Sequence, residues 1–201
     1  MEVGDRDGAG VLLLDEGAEG ACGAERILAA AGFVVHMPTL SAAALADDRA
    51  ALRELDVALG ELARGKGVER ERLGAVGLGR GGTLAFLLGC TRRLAAVVDV
   101  EGPVLHPALS AERPIQPLEL ALNFEGAFLG LFGADGPVGA EERELLRARL
   151  AAAARPFELV VAPGKEIVLD PRRSGYDEAR VKGLWSRVLA FLAEHLAPEP
   201  E

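Results

Sequence analysis

Cysteine, histidine and clustered positive charge are what this chain has least of, and each shortage removes a class of function. Its two cysteines, Cys22 and Cys90, lie far apart and neither belongs to a C-x-x-C pair. No metal site and no disulfide are therefore expected. Cys90 reads as a small apolar residue closing a buried helix, and Cys22 as a thiol in a loop or first helical turn; neither has a basic neighbour to activate it. Histidine occurs three times, at His36, His106 and His195, which leaves few candidates for a general base. No run of Lys or Arg interrupts a formal net charge of −9, which argues against nucleic acid or an anionic membrane as partner. Apolar runs are far shorter than a bilayer span, and the first residues lack the basic-then-apolar layout of a signal peptide. The expectation is a cytoplasmic protein, residues 1–201 forming one globular domain without metal or cofactor. Nothing in the sequence sets its oligomeric state.

What is present is a regular alternation. Short continuous apolar runs at 11–14, 33–36, 73–78, 94–100, 128–132 and 157–161 read as buried strands. Helical spacing marks 22–31, ending at Gly32, then 47–64, 81–90 and 141–153. A last stripe of Val181, Leu184, Trp185, Val188, Leu189, Leu192 and Leu196 marks a C-terminal helix. Residues 101–123 are rich in proline and short on periodicity, and are expected to form a long loop with at most one turn of helix. Strands alternating with helices predict a mostly parallel α/β sheet covered on both faces, with ligands gathered by loops at the carboxyl ends of the strands.

One of those loops dominates. The run Ala75-Val76-Gly77-Leu78 meets Gly79-Arg80-Gly81-Gly82 and passes at once into a helical segment. Strand, glycine turn and helix serve two unrelated chemistries. A nucleophile elbow, G-x-nucleophile-x-G, holds its middle residue exposed in a strained turn. A dinucleotide fingerprint, G-x-G-x-x-G, lets backbone approach a pyrophosphate at a helix N-terminus. Gly77-x-Gly79-x-x-Gly82 satisfies the second, with Asp99 or Glu101 about twenty residues on as the ribose acid. It satisfies the first in spacing, but the attacking residue is Gly79. The fingerprint lies mid-chain, after two strand-helix units, which favours the elbow.

Several segments together resemble the dienelactone hydrolase family of α/β-hydrolases. Leu28-Ala29-Ala30-Ala31-Gly32-Phe33-Val34-Val35 with Pro38 and Leu40 is similar to its "LAAAGY…P-L" stretch. Val76 to Phe86 resembles its "GxCxGGxLA" elbow, and Leu131 to Val138 its "FGxxDxxV" acid turn. Tyr176-Asp177-Glu178-Ala179, Trp185 and Phe191-Leu192 resemble its last helix. The resemblance implies a single α/β-hydrolase domain working through Cys or Ser, Asp and His. Carried over by position, all three roles are substituted. The nucleophile falls on Gly79. The acid, counted from Gly133, falls on Gly136, with Asp135 one step early. The histidine, counted back from Asp170-Pro171, falls on Glu166, or on Lys165 one residue before.

Glycine has no atom to attack with, and neither carboxylate nor ammonium replaces imidazole at neutral pH without a large pKa shift. His36 ends a strand and His195 follows the last apolar stripe, so His106 is the stand-in base to examine; Thr83 is expected to face the sheet. The resemblance places Glu16 where the family has a glutamate near its nucleophile. The expectation is a degenerate triad and a non-catalytic fold that binds a small anionic or carbonyl ligand. Glu16, Arg80, Gly81, Asp135 and His106 are its candidate residues, with Glu166 as a possible internal plug. The alternatives are a scaffold using the 102–117 loop, a hydrolase working through unconventional residues, and a dinucleotide-binding protein.

Overall fold

The computed structural model describes residues 8–15, 23–65, 67–165, 167 and 176–198. Six parallel strands form one sheet in the order β2-β1-β3-β4-β5-β6: β1 Gly8–Leu14, β2 Val34–His36, β3 Val68–Leu78, β4 Ala96–Val100, β5 Ala127–Gly133 and β6 Phe157–Ala162. The helices are α1 Ala24–Ala30, α2 Ala42–Ala46, α3 Asp48–Ala63, α4 Arg80–Thr91, α5 Ala140–Ala153 and α6 Glu178–His195.

Alternate residues of each strand feed two cores, because successive strand side chains point to opposite faces. Leu12, Leu14, Ala75, Val97, Phe128 and Phe132 pack beneath α3, α4 and α5. Val11, Leu13, Val76, Val98, Val100, Leu129 and Leu131 pack beneath α1 and α6. Burying each larger side chain contributes about 1.5–3 kcal/mol, which explains why the central strands read as unbroken apolar runs. The expected α6 stripe is the one that faces the sheet, Val181, Leu184, Trp185, Val188, Leu192 and Leu196 all being buried. Cys90 is buried as expected, and burial pushes its thiol pKa up, away from reactivity.

Local signals explain the helix ends. Asp47 caps α3, its carboxylate accepting from the N–H groups of Arg49 (2.7 Å) and Ala50 (2.8 Å). Gly32, at φ 93°, turns the chain out of α1 in the left-handed conformation.

Two expectations needed correction. The segment after β4 ends in seven residues of 3-10 helix, Pro117–Asn123, not in a single turn. Proline starts that helix without losing a bond, and Leu118 and Ala121, three apart, both face the core. Strand β3 begins at Val68, five residues before its apolar run, because Glu69 to Arg72 extend beyond the covered part of the sheet as a charged ribbon. None of the described helices is long and apolar enough to cross a membrane.

Candidate functional site

The turn from β3 into α4 is held by close backbone approaches. A Cβ on Gly77 would lie 2.1 Å from Gly81 O, one on Gly81 2.1 Å from Leu14 O, and one on Gly82 2.0 Å from Asp99 Oδ1. No residue but glycine fits any of the three. Gly79 differs. It sits at φ 57° and ψ −124°, its N–H donates to Val100 O (2.8 Å), and its carbonyl accepts from Gly82 N–H (2.9 Å). A Cβ there would meet nothing within 4 Å. Of these four elbow glycines, Gly79 alone has an open side-chain direction. Arg80 and Gly81 open α4, where the first N–H groups of a helix have no intrahelical acceptor.

The Arg80 guanidinium turns inward. It bonds Asp48 Oδ1, and Asp48 Oδ2 lies 2.8 Å from His106 Nε2; the three side chains are 10%, 8% and 3% exposed. Reciprocal bonds hold the His106 backbone: its N–H donates to Gln116 Oε1, and its carbonyl accepts from Gln116 Nε2 (3.1 Å). His106 is thus joined to a carboxylate, and to no hydroxyl or thiol among the described residues. The side chains of Arg80 and His106, expected among the ligand residues, are instead joined through Asp48 in a buried network that ties the loop after β4 to the starts of α3 and α4. Asp48 escaped sequence reasoning because a first-turn acid reads as a dipole partner of its own helix.

A second corner lies at the ends of β4, β5 and β6. A Cβ on Gly136 would lie 2.8 Å from Glu101 Oε2 and 3.2 Å from Oε1, so the family's acid position points at the carboxylate of another residue. Glu101, the first residue beyond β4, is buried at φ 60°. Its Oε1 accepts from Gly133 N–H (2.8 Å) and Ile167 N–H (2.7 Å). It thereby ties the end of β5 to the segment following β6. Arg143 of α5 braces the turn between them, donating to the carbonyls of Gly133 (3.1 Å), Val138 and Ala134 (3.3 Å). Asp135 is exposed on the outside of this turn, so it does not join the corner. Lys165 is also exposed. A charged residue directly after a buried strand, followed by Gly102-Pro103, was the available signal for Glu101.

Between the two corners lies Asp99, fully buried. Its Oδ1 accepts from Gly102 N–H (2.7 Å), and Oδ2 has no partner among the described residues. Burial raises its pKa well above the usual carboxylate range, the Gly102 hydrogen bond opposing and Glu101 and Glu142 reinforcing. Thr83, also fully buried, donates to Pro103 O (2.8 Å). Glu142 Oε1 accepts from the Val104 (2.6 Å) and Leu105 (2.9 Å) N–H groups; burial raises its pKa while those bonds oppose.

With Asp99 under α4 and Glu101 bound to two backbone N–H groups, neither acid is available to a ribose. The dinucleotide expectation fails on that geometry. His36 lies 3.6 Å from Glu61, and His195 meets Phe191 edge-on at 4.6 Å between ring centres. Both are accounted for away from the elbow. Glu16, Glu166 and Cys22 lie outside the described residues. No group of three or more His, Cys, Asp or Glu is placed to hold a metal among the described residues.

An all-parallel six-stranded sheet with a glycine-built turn at the carboxyl end of a central strand is the α/β-hydrolase fold. The chain belongs to the dienelactone hydrolase family, whose model matches residues 38–196. A Salmonella typhimurium protein named "Putative carboxymethylenebutenolidase" is 30% identical over 164 residues, 79% of this chain and 60% of that protein. A Bradyrhizobium protein named "Probable 2-oxo-3-(5-oxofuran-2-ylidene)propanoate lactonase" is 25% identical over 152 residues, 75% of this chain and 61% of its own length. The chain thus spans about 60% of the length of these curated relatives. The crystal structure titled "Putative Dienelactone Hydrolase", from Klebsiella pneumoniae, superposes with a TM-score of 0.81. It is 25% identical, covering 94% of this chain and 88% of the other.

Proposed function

We propose that this chain is a pseudo-hydrolase: a dienelactone hydrolase family fold that keeps the elbow but has no attacking atom, and that binds a small carbonyl or carboxylate compound there without cleaving it. The observation that carries this reading is Gly79, in elbow geometry with open space where a nucleophile would project. Acyl transfer of the family's kind needs a nucleophile, a base within hydrogen-bond reach, and an acid that orients the base. At the elbow the first is absent. Of the histidines, His106 is committed to Asp48, His36 at the end of β2 faces Glu61, and His195 lies against Phe191 on α6. Only a carboxylate remains at the third position, supplied by Glu101. What persists is the helix start, whose Arg80 and Gly81 N–H groups stabilise negative charge on an oxygen. Removing the side chain from Gly79 leaves that start open to ligand oxygens.

The test is turnover of p-nitrophenyl acetate and of an unsaturated lactone by the purified full chain, with intact mass after exposure to a fluorophosphonate. The expected outcome is hydrolysis at the uncatalysed rate and no adduct. Saturable turnover with an adduct mapped to one residue would contradict the reading.

A further inference from the structure

We propose a second binding site at the opposite end of the sheet, for a small organic oxyanion with a short apolar body. It does not rest on the reading of the elbow. A groove of about 370 Å³ lies between the last turns of α3 and α4 and the first half of β3. Three arginines, Arg64, Arg70 and Arg92, converge on it against one acid, Asp56. Asp56 is already bonded to Arg92. Arg64 and Arg70 have no acidic partner among the described residues, although acids outnumber Lys and Arg by 31 to 22 in this chain.

Two of these arginines have a structural use. Arg64 follows the last turn of α3, and Arg92 follows α4 and donates to Thr91 O (2.7 Å). Cations at helix C-termini offset the partial negative charge there. Arg70 stands on β3 and serves neither helix end. The floor is apolar, formed by Leu59, Ala63 and Leu73. The Arg64 guanidinium lies against Gly60, where a Cβ would sit 3.4 Å from it at ordinary contact distance.

Guanidinium forks match carboxylate and phosphate oxygens in pairs, and more than one fork on one side of an apolar floor sets the ligand's orientation. Ligand pockets of this size take a small molecule through apolar walls and a few polar groups. The shared chemistry is therefore an oxyanion on an aromatic or short aliphatic body, either a phosphate monoester or a carboxylate. Leu73, the lining residue nearest the elbow, precedes Gly79 by six residues along β3, roughly 20 Å, so the two sites do not overlap.

The experiment is a titration of the full chain followed by amide chemical shifts, with phenyl phosphate, benzoate and inorganic phosphate as probes. At least one arene should give saturable shifts at Gly60, Ala63 and Leu73, with Kd near or below about 1 mM and inorganic phosphate about tenfold weaker. Which arene binds tighter distinguishes a phosphate ester from a carboxylate. Arg70→Ala should weaken binding about tenfold, and Arg64→Ala supplies the same test if the first variant folds poorly. Four outcomes would each overturn the proposal: no saturable shift with either arene, shifts confined to Gly79–Gly81, inorganic phosphate binding as tightly as the arenes, or affinity unchanged in the variants.

Discussion

The elbow after β3 and the corner where β4, β5 and β6 end stand at the same edge of the sheet, yet they are built differently. The elbow is a backbone turn with Gly79 at its open position. The corner is built around the carboxylate of Glu101, which follows β4 and serves backbone N–H groups. The difference lies in what holds each region together. Gly77 and Gly81 let backbone meet backbone, and nothing in those contacts involves the attacking residue. At the corner the buried N–H groups of Gly133 and Ile167 need an acceptor, and Glu101 provides it.

Substitutions should separate the two regions by size of effect. The largest is Gly81→Ala, which drives a methyl group onto Leu14 O and should cost about 3 kcal/mol or more in a urea melt. A loss below about 1 kcal/mol would mean that the turn is not backbone-packed. Next comes Glu101→Ala, which strips the acceptor from two buried N–H groups and should cost about 2–3 kcal/mol. Amide exchange at Gly133 and Ile167 should accelerate with it; unchanged protection there would sever Glu101 from the corner.

Asp99→Asn sharpens the link between the regions. Because burial raises the Asp99 pKa in the folded protein from the ordinary 3.8, the folded state holds a proton that the unfolded chain releases. Wild-type stability should therefore fall as pH rises above about 4, by at most about 1.4 kcal/mol per pH unit, until the folded pKa is passed. The Asn variant lacks this slope, so its advantage over wild type should grow from pH 4 to 7; a flat difference would contradict a buried neutral acid. The smallest effect belongs to Gly79→Ala, which meets no atom and pays only for its φ, about 1 kcal/mol by thermal melt. A cost matching that of Gly81→Ala would erase the contrast.

The sheet was legible because its signals are local: apolar runs bounded by turn residues, Asp47 before α3, Gly32 after α1. The turn at Gly79 was legible as well, since G-x-G-x-G spacing after a strand fixes which residue occupies it. The partners of the site were not. Asp48, Glu101 and Arg143 act through the residues they reach across the fold, and no periodicity reports that His106 lies 58 positions from its acid. The turn between β5 and α5 shows the same limit. Counting from Gly133 put the acid position on Gly136, with Asp135 one step early; the fold shows that a Cβ on Gly136 would face Glu101 while Asp135 is exposed. The 3-10 helix at Pro117–Asn123 escaped because its three buried residues, Pro117, Leu118 and Ala121, are too few to form a pattern.

The most direct measurement of the vacated elbow is the rate at which a thiol placed at Gly79→Cys reacts with a disulfide reagent across pH, with each modified residue located by mass spectrometry. The expected result is rapid modification at position 79 with a midpoint below about 8.5, as for a thiol at a helix N-terminus, while buried Cys90 stays unreacted in the folded protein. A folded variant whose introduced thiol is protected, or titrates above that value, would contradict an open elbow aimed at the site.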